Sequence, residues 1–132
     1  MQKIEDTLEA IRAALAQTTG VASVERSNLD PTKFGDLPCI RITQGDLEIV
    51  ELSFDDREFL LTLAITIIAG RSEENIETSL NKLHRNMLVE LNAASFDFEL
   101  TERTIVAPVI IQPDGQVCAA LETFWQARFE QA

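Results

Sequence analysis

Residues 59–69 read FLLTLAITIIA, and this stretch decides the fold class of the chain. Its side chains alternate between two faces, and the alternation is typical of a β-strand. One face is uniformly apolar and consists of Phe59, Leu61, Leu63, Ile65 and Ile67. The opposite face is mixed, because Thr62 and Thr66 lie on it. A strand with one apolar face buries that face against another layer, so the chain is expected to fold around a β-sheet.

An amphipathic helix is predicted at the N-terminus, over residues 2–17. Its apolar residues recur at spacings of four, three and four, and they are Ile4, Leu8, Ile11 and Leu15. This spacing places them on one helical face. The helix is expected to stop at Thr18, Thr19 and Gly20.

A second amphipathic helix is predicted directly after the strand, with Ser72 as its N-cap. Acidic residues fall in its first turns, as the helix dipole favours. Its apolar residues, again at helical spacing, are Ile76, Leu80, Leu83, Met87 and Leu91. Because each helix is apolar on one side only, the two are predicted to pack on the same face of the sheet.

The other predicted strands lie on both sides of the second helix. Before it come a short strand candidate at 21–26, a strand at 39–43, a turn at 44–46, a strand at 47–52 and a polar tip at 53–58. After it come an ambiguous stretch at 96–100, a strand at 104–111, a hairpin turn at 112–115 and a strand at 116–130. Pro108 indicates an edge position or a bulge. The prediction is an α+β fold with an antiparallel or mixed β-sheet and two amphipathic helices on one face, as a single domain over residues 1–132.

Composition limits the functions that the chain can have. Its 132 residues are 45% hydrophobic and 25% charged, which suits one globular domain. No apolar run reaches the roughly 20 residues of a membrane helix. The acidic N-terminal stretch MQKIEDTLEAIRAAL is unlike a signal peptide, so folding in the cytoplasm is expected. The net charge of −11 disfavours a protein that reads nucleic acid, since such proteins need Lys and Arg to displace phosphate counterions.

Residues that could carry out catalysis are few. Cys39 and Cys118 lie far apart in the sequence and are interpreted as buried hydrophobic residues, with a disulfide and a zinc site as the alternatives. His84 is interpreted as a partly exposed helix residue, the alternative being a catalytic base. The glycines are scattered and form no phosphate-binding loop. We therefore predict that the chain is not an enzyme and that it has no cofactor.

Two irregular segments are candidate contact sites. The loop at 27–38 carries Phe34 at its centre, which either folds back onto the core or contacts a partner. Asp55 and Asp56 are predicted at the hairpin tip, where they could bind a divalent cation together with acidic residues of other loops. The alternatives are solvated turn residues or an intersubunit salt bridge that involves Arg57. The calcium-loop pattern is absent, so no metal site is predicted.

The order of these features resembles a known family of phage proteins. An amphipathic helix leads into a Gly–Val strand, and a loop ends in the run LPCIRI at 37–42. The apolar strand at 59–69 runs straight into a capped helix, and the last strand contains Trp125 and Phe129. This layout is similar to the tail terminator family of long-tailed bacteriophages, also called tail completion or minor tail protein U-like proteins. The resemblance covers nearly the whole chain.

The resemblance implies a structural role in the virion. Such a protein forms a ring, typically a hexamer, on the last ring of the tail tube. It stops tail polymerisation and presents a surface to the head–tail connector protein. DNA passes through the lumen without being read. The chain would be found in the host cytoplasm during assembly and afterwards in the tail of the virion.

Two hypotheses on surfaces follow. Segments 30–37 and 55–58 are placed at subunit or tube contacts, and the interface residues are Phe34, Asp55, Asp56, Arg57 and Glu58. Part of the negative charge is placed in the lumen, where carboxylates repel the phosphates of DNA. Three other functional interpretations stay open. The chain could be a head–tail joining or neck protein, or a small dimeric α+β module whose sheet cups an apolar ligand. It could also be an enzyme in which His84 meets a thiol or carboxylates.

Overall fold

The computed structural model describes residues 2–27, 35–51, 57–70, 75–111 and 117–130. Its helices are α1 (Gln2–Leu15) and α2 (Ile76–Ala93). Its strands are β1 (Ser23–Arg26), β2 (Cys39–Glu51), β3 (Arg57–Ala69), β4 (Glu99–Ile105), β5 (Val109–Ile111) and β6 (Cys118–Glu130). The predicted α+β class is confirmed. In the described part of the chain, no helix is long and apolar enough to cross a membrane.

The six strands form one mixed sheet in the order β1-β2-β3-β6-β4, with β5 also paired to β6. The pair β1–β2 is parallel, and all other pairs are antiparallel. Strands β4 and β5 follow one another along the same side of β6. The prediction of one strand over 104–111 is therefore wrong. The pairing is interrupted around Pro108, whose backbone has no N–H to donate.

Both helices pack on one face of the sheet, as predicted. The five apolar residues of β3 that alternate from Phe59 to Ile67 are all buried there. The helix residues that cover them include Ile4, Leu8, Ile11, Leu15, Leu80, Leu83, Met87 and Leu91. Asn86 of α2 donates a hydrogen bond from its Nδ2 to the Thr19 carbonyl at 2.9 Å, so the second helix also holds the turn after the first.

Thr123 is a buried polar residue in this apolar layer, and its hydrogen bonds explain how it is tolerated. Its Oγ1 donates to the Ile65 carbonyl at 2.7 Å and accepts from Trp125 Nε1 at 2.7 Å. The hydroxyl thus accepts a hydrogen bond from the indole N–H and donates one of its own. Both buried polar groups therefore have a hydrogen-bond partner. Periodicity alone did not assign this residue to the core.

Strand β2 is longer than predicted. The turn expected at 44–46 is instead an irregularity within one strand, where the register with β3 shifts between Gln44 and Leu47. A Cβ added to Gly45 would lie 2.7 Å from the Thr62 carbonyl oxygen. Glycine therefore lets the two backbones approach closely enough for pairing to continue through a bulge.

The N-cap of α2 also differs from the prediction. The helix begins at Ile76, and Asn75 Oδ1 accepts from the backbone N–H of Glu77 at 3.0 Å and of Thr78 at 3.2 Å. Ser72, the predicted cap, lies outside the described residues. Both residues can cap a helix, but the apolar stripe starts at Ile76, directly after Asn75.

We expect Asn75→Ala to lower the free energy of unfolding by about 1 kcal/mol, because two backbone N–H groups lose their acceptor. Equilibrium urea unfolding measures the loss. Asn81→Ala is the matched control: this residue is exposed within α2, and its replacement is expected to leave stability unchanged or slightly higher. A loss in Ser72→Ala, with none in Asn75→Ala, would contradict the assignment.

Candidate assembly surface

The exposed apolar side chains concentrate at one border of the sheet. Seven large apolar residues of the described chain are exposed. Four of them follow one another along the outer border and are named the apolar edge here: Ile105, Val106, Val109 and Ile110, with exposed fractions of 51%, 36%, 52% and 64%. Val117, 46% exposed, lies at the same end of the sheet, directly before β6. Contiguous exposed apolar residues of this kind mark contact sites.

The backbone of the apolar edge is open as well. In the described sheet, β4 and β5 each pair with a single strand, β6. Their outer N–H and C=O groups can therefore accept another strand. Natural edge strands are usually protected by charged side chains. Residues 104–111, TIVAPVII, carry no charge, and Pro108 is their one protective feature.

The apolar edge presents apolar groups on both sides of the sheet. Val109 pairs with Ala120, which belongs to the helix-free face, and Ile110 pairs with Ala119, which belongs to the helix-covered face. Successive strand residues point to opposite faces. A strand docked here would therefore find apolar contacts above and below its backbone.

The two cysteines lie in a small second core on the helix-free face. They pack with Ile68 and Ala120, under Leu37 and Ile111. Both are free and buried, which confirms their predicted character. Burial raises the pKa of the Cys39 thiol to about 12, with the Glu25 carboxylate adding to the effect, and burial also raises the pKa of Cys118. Neither thiol is a nucleophile near neutral pH, since the thiolate is the reactive form.

His84 is half-buried, as predicted, but its partner was not foreseen. Its Nε2 lies 2.7 Å from Glu102 Oε2, so the contact joins α2 to β4. Glu102 pairs with Trp125 on the helix-covered face, whereas both cysteines lie on the other face. The imidazole and the thiols therefore do not converge. The contact instead holds the border strand against the helix.

The predicted interface residues fall in two groups. Phe34, Asp55 and Asp56 lie outside the described residues, so their roles stay predictions. Arg57 and Glu58 are not in the hairpin tip but in β3, because pairing continues to Glu51↔Arg57. Arg57 is exposed. The Glu58 side chain is only 18% exposed, and its Oε2 lies 3.3 Å from Arg128 Nε.

The sequence patterns did not predict the apolar edge as a contact surface. The signal was present in Pro108, which indicated a border strand, and in the uncharged run around it. The sequence could not show that these side chains are exposed, because an apolar run is equally consistent with a buried strand.

An open groove of ≈ 560 Å³ lies at the far end of the sheet. It is lined by six charged residues and by Phe96, Phe98 and Phe129. The rings of Phe96 and Phe98 stack with centroids 4.6 Å apart. A module that cups an apolar ligand is expected to have a closed pocket with a mainly apolar lining. This groove is open, and most of the residues that line it are charged.

We expect both thiols to be unreactive towards a thiol reagent in the native protein at pH 8. Burial keeps the thiols protonated and inaccessible. A spectroscopic thiol titration should count about two equivalents in urea, one for each cysteine, and almost none without it. Fast labelling of the folded chain would contradict the burial of the thiols.

Because the folded pKa of Cys39 lies above its ordinary value of 9.0, the free energy of unfolding should fall as the pH rises from 9.0 towards about 12.

No family model matches the chain, and no curated protein matches it in sequence. Among solved structures, the chain is similar to a chain in the structure described as the virion of native gene transfer agent (GTA) particle. The two are 9% identical, and the match covers 92% of this chain and 84% of that chain with a TM-score of 0.41.

Proposed function

We propose that this chain is a non-enzymatic structural subunit that assembles into a homo-oligomeric ring, a hexamer, at the end of a phage tail tube. There it stops tail polymerisation and forms the head-binding surface. The observation that supports assembly best is the apolar edge, an uncharged and exposed sheet border that pairs with no described strand on its outer side.

Assembly needs such a surface because the subunits repel one another. Each copy carries a net charge of −11, so two copies gain no long-range attraction. Contact is favourable only where apolar area and backbone hydrogen bonds outweigh the repulsion. The apolar edge offers both, and it contains none of the 22 acidic residues.

The place at the tail end is proposed from the order of sequence features that resembles tail terminators. The partners are further copies of the chain, the tail tube protein and the head–tail connector protein. DNA passes through the ring without specific binding, and carboxylates in the lumen repel its phosphates. The subunit assembles in the host cytoplasm and then becomes part of the virion.

The absence of enzymatic activity is part of the proposal. Burial keeps Cys39 and Cys118 as protonated thiols, and both lie across the sheet from His84. The imidazole of His84 contacts Glu102, and this contact connects α2 to β4. These contacts stabilise the fold and need no substrate to explain them.

A head–tail joining protein is the second candidate, since it would use the same kind of surface. Binding to isolated tail tubes supports a terminator, whereas binding to filled heads alone supports a joining protein. The dimeric ligand-binding module is a third candidate, and the groove described above, with its six charged lining residues, does not supply the apolar pocket that it requires.

We expect Ile110→Glu to weaken self-association at least about tenfold, or about 1.4 kcal/mol, because the interface would have to bury an unpaired carboxylate. The matched control is Val89→Glu, which adds the same charge at a similarly exposed residue, 58% against 64%, on the outer side of α2. Light scattering over a concentration series and negative-stain imaging with tail tubes measure the effect. Equal self-association of the two variants would contradict the assignment of the apolar edge as the contact surface.

The contacts predicted from the sequence have their own experiment. Charge reversal in Arg57→Glu, combined with Phe34→Ala, should impair ring formation or tube binding and leave the monomer folded. Circular dichroism checks the fold, and co-sedimentation with tail tubes checks binding. Unaltered assembly would remove Phe34 and Arg57 from the interface.

A further inference from the structure

The sheet has a second border on its opposite side. Strand β1, Ser23–Arg26, pairs with β2 alone among the described strands. One copy of the chain therefore carries two different sheet borders, β5 on one side and β1 on the other. A contact between unlike borders repeats from copy to copy, and it closes into a ring when the rotation between copies permits.

The strand directions make the two borders compatible. Strand β1 runs parallel to β2, β3 runs opposite to β2, and β6 runs opposite to β3. Strand β5 runs opposite to β6 and is therefore antiparallel to β1. When copies are placed side by side with their sheets continuing, β5 of one copy meets β1 of the next in antiparallel orientation, which is the more stable pairing.

The charges of β1 do not oppose this contact. Glu25 Oε1 accepts hydrogen bonds from Arg41 Nε at 3.2 Å and Nη2 at 3.0 Å. The Arg26 Nη1 atom lies 3.3 Å from Glu5 Oε2. Each charged side chain of β1 thus has an opposite charge within its own copy. The charges of β1 are paired and β5 carries none, so in a chain of net charge −11 these two strands are where like-charged copies can approach.

We propose that β5 of one copy pairs antiparallel with β1 of a second copy, so that the sheet continues from subunit to subunit. The proposal rests on the proposed function in one respect: a ring requires unlike borders to meet. It deepens that function by naming the partner of the apolar edge.

Disulfide trapping tests the pairing. Ile110 is the one residue of β5 on the helix-covered face, and β1 has two residues on that face, Val24 and Arg26. In a continuous sheet Ile110 lies beside one of these two residues. Ile110→Cys protein is therefore mixed with Val24→Cys or Arg26→Cys protein, with tail tubes present, and oxidised mildly. The wild type is the control, because its own cysteines are buried.

Covalent dimers in one of the two mixtures, and none in any single variant or the wild type, are the expected result. Dimers of Ile110→Cys alone would reveal a two-fold contact of β5 with itself and overturn the proposal. The absence of dimers in both mixtures would overturn it as well.

The test separates this pairing from the proposed function. Rings on tail tubes without cross-links leave the function intact and refute the pairing. Cross-linked oligomers that ignore tail tubes support the pairing and refute the role at the tail end.

Discussion

The burial of one face of β3 under two helices is the constraint on which the rest of the structure depends. This strand lies in the middle of the sheet, between β2 and β6, and its helix-covered side chains are fully or nearly fully buried. Burying each large apolar side chain contributes on the order of 1.5–3 kcal/mol, so this layer is the main source of stability. Both helices are apolar on one side only, and the covered face of β3 is where these sides meet.

A sheet that is covered on one face and is not closed into a barrel retains two borders. In this chain the borders differ in chemistry. The β1 border carries charges that are paired within the chain, and the β5 border carries aliphatic groups with no charge. Chains that stay monomeric usually protect such borders with charge. In an otherwise acidic molecule, one border strand with paired charges and another with none suit repeated head-to-tail assembly.

Polar contacts within the chain hold the borders in place. Arg41 is buried, and its contact with Glu25 fixes β1 against β2. His84 and Glu102 fix β4 against α2 in the same way. Separating Arg41 from Glu25 would leave a desolvated charge, so this pair is held in one geometry. The borders are therefore set by contacts between residues that are distant in sequence.

The sequence by itself determined the class of fold, because apolar periodicity is a local property. Spacings of two in β3 and of three and four in the helices required a sheet with two helices on one side, and the buried residues matched these patterns. Local patterns failed where two residues offered the same chemistry, as Ser72 and Asn75 did for the helix cap, or where pairing overrode a turn, as at Gly45. Only the tertiary structure decided which apolar residues stay exposed, because the exposure of Ile110 depends on whether another strand lies beside β5. The contact of His84 with Glu102 was likewise decided by strand order, which the spacing of residues along the chain does not contain.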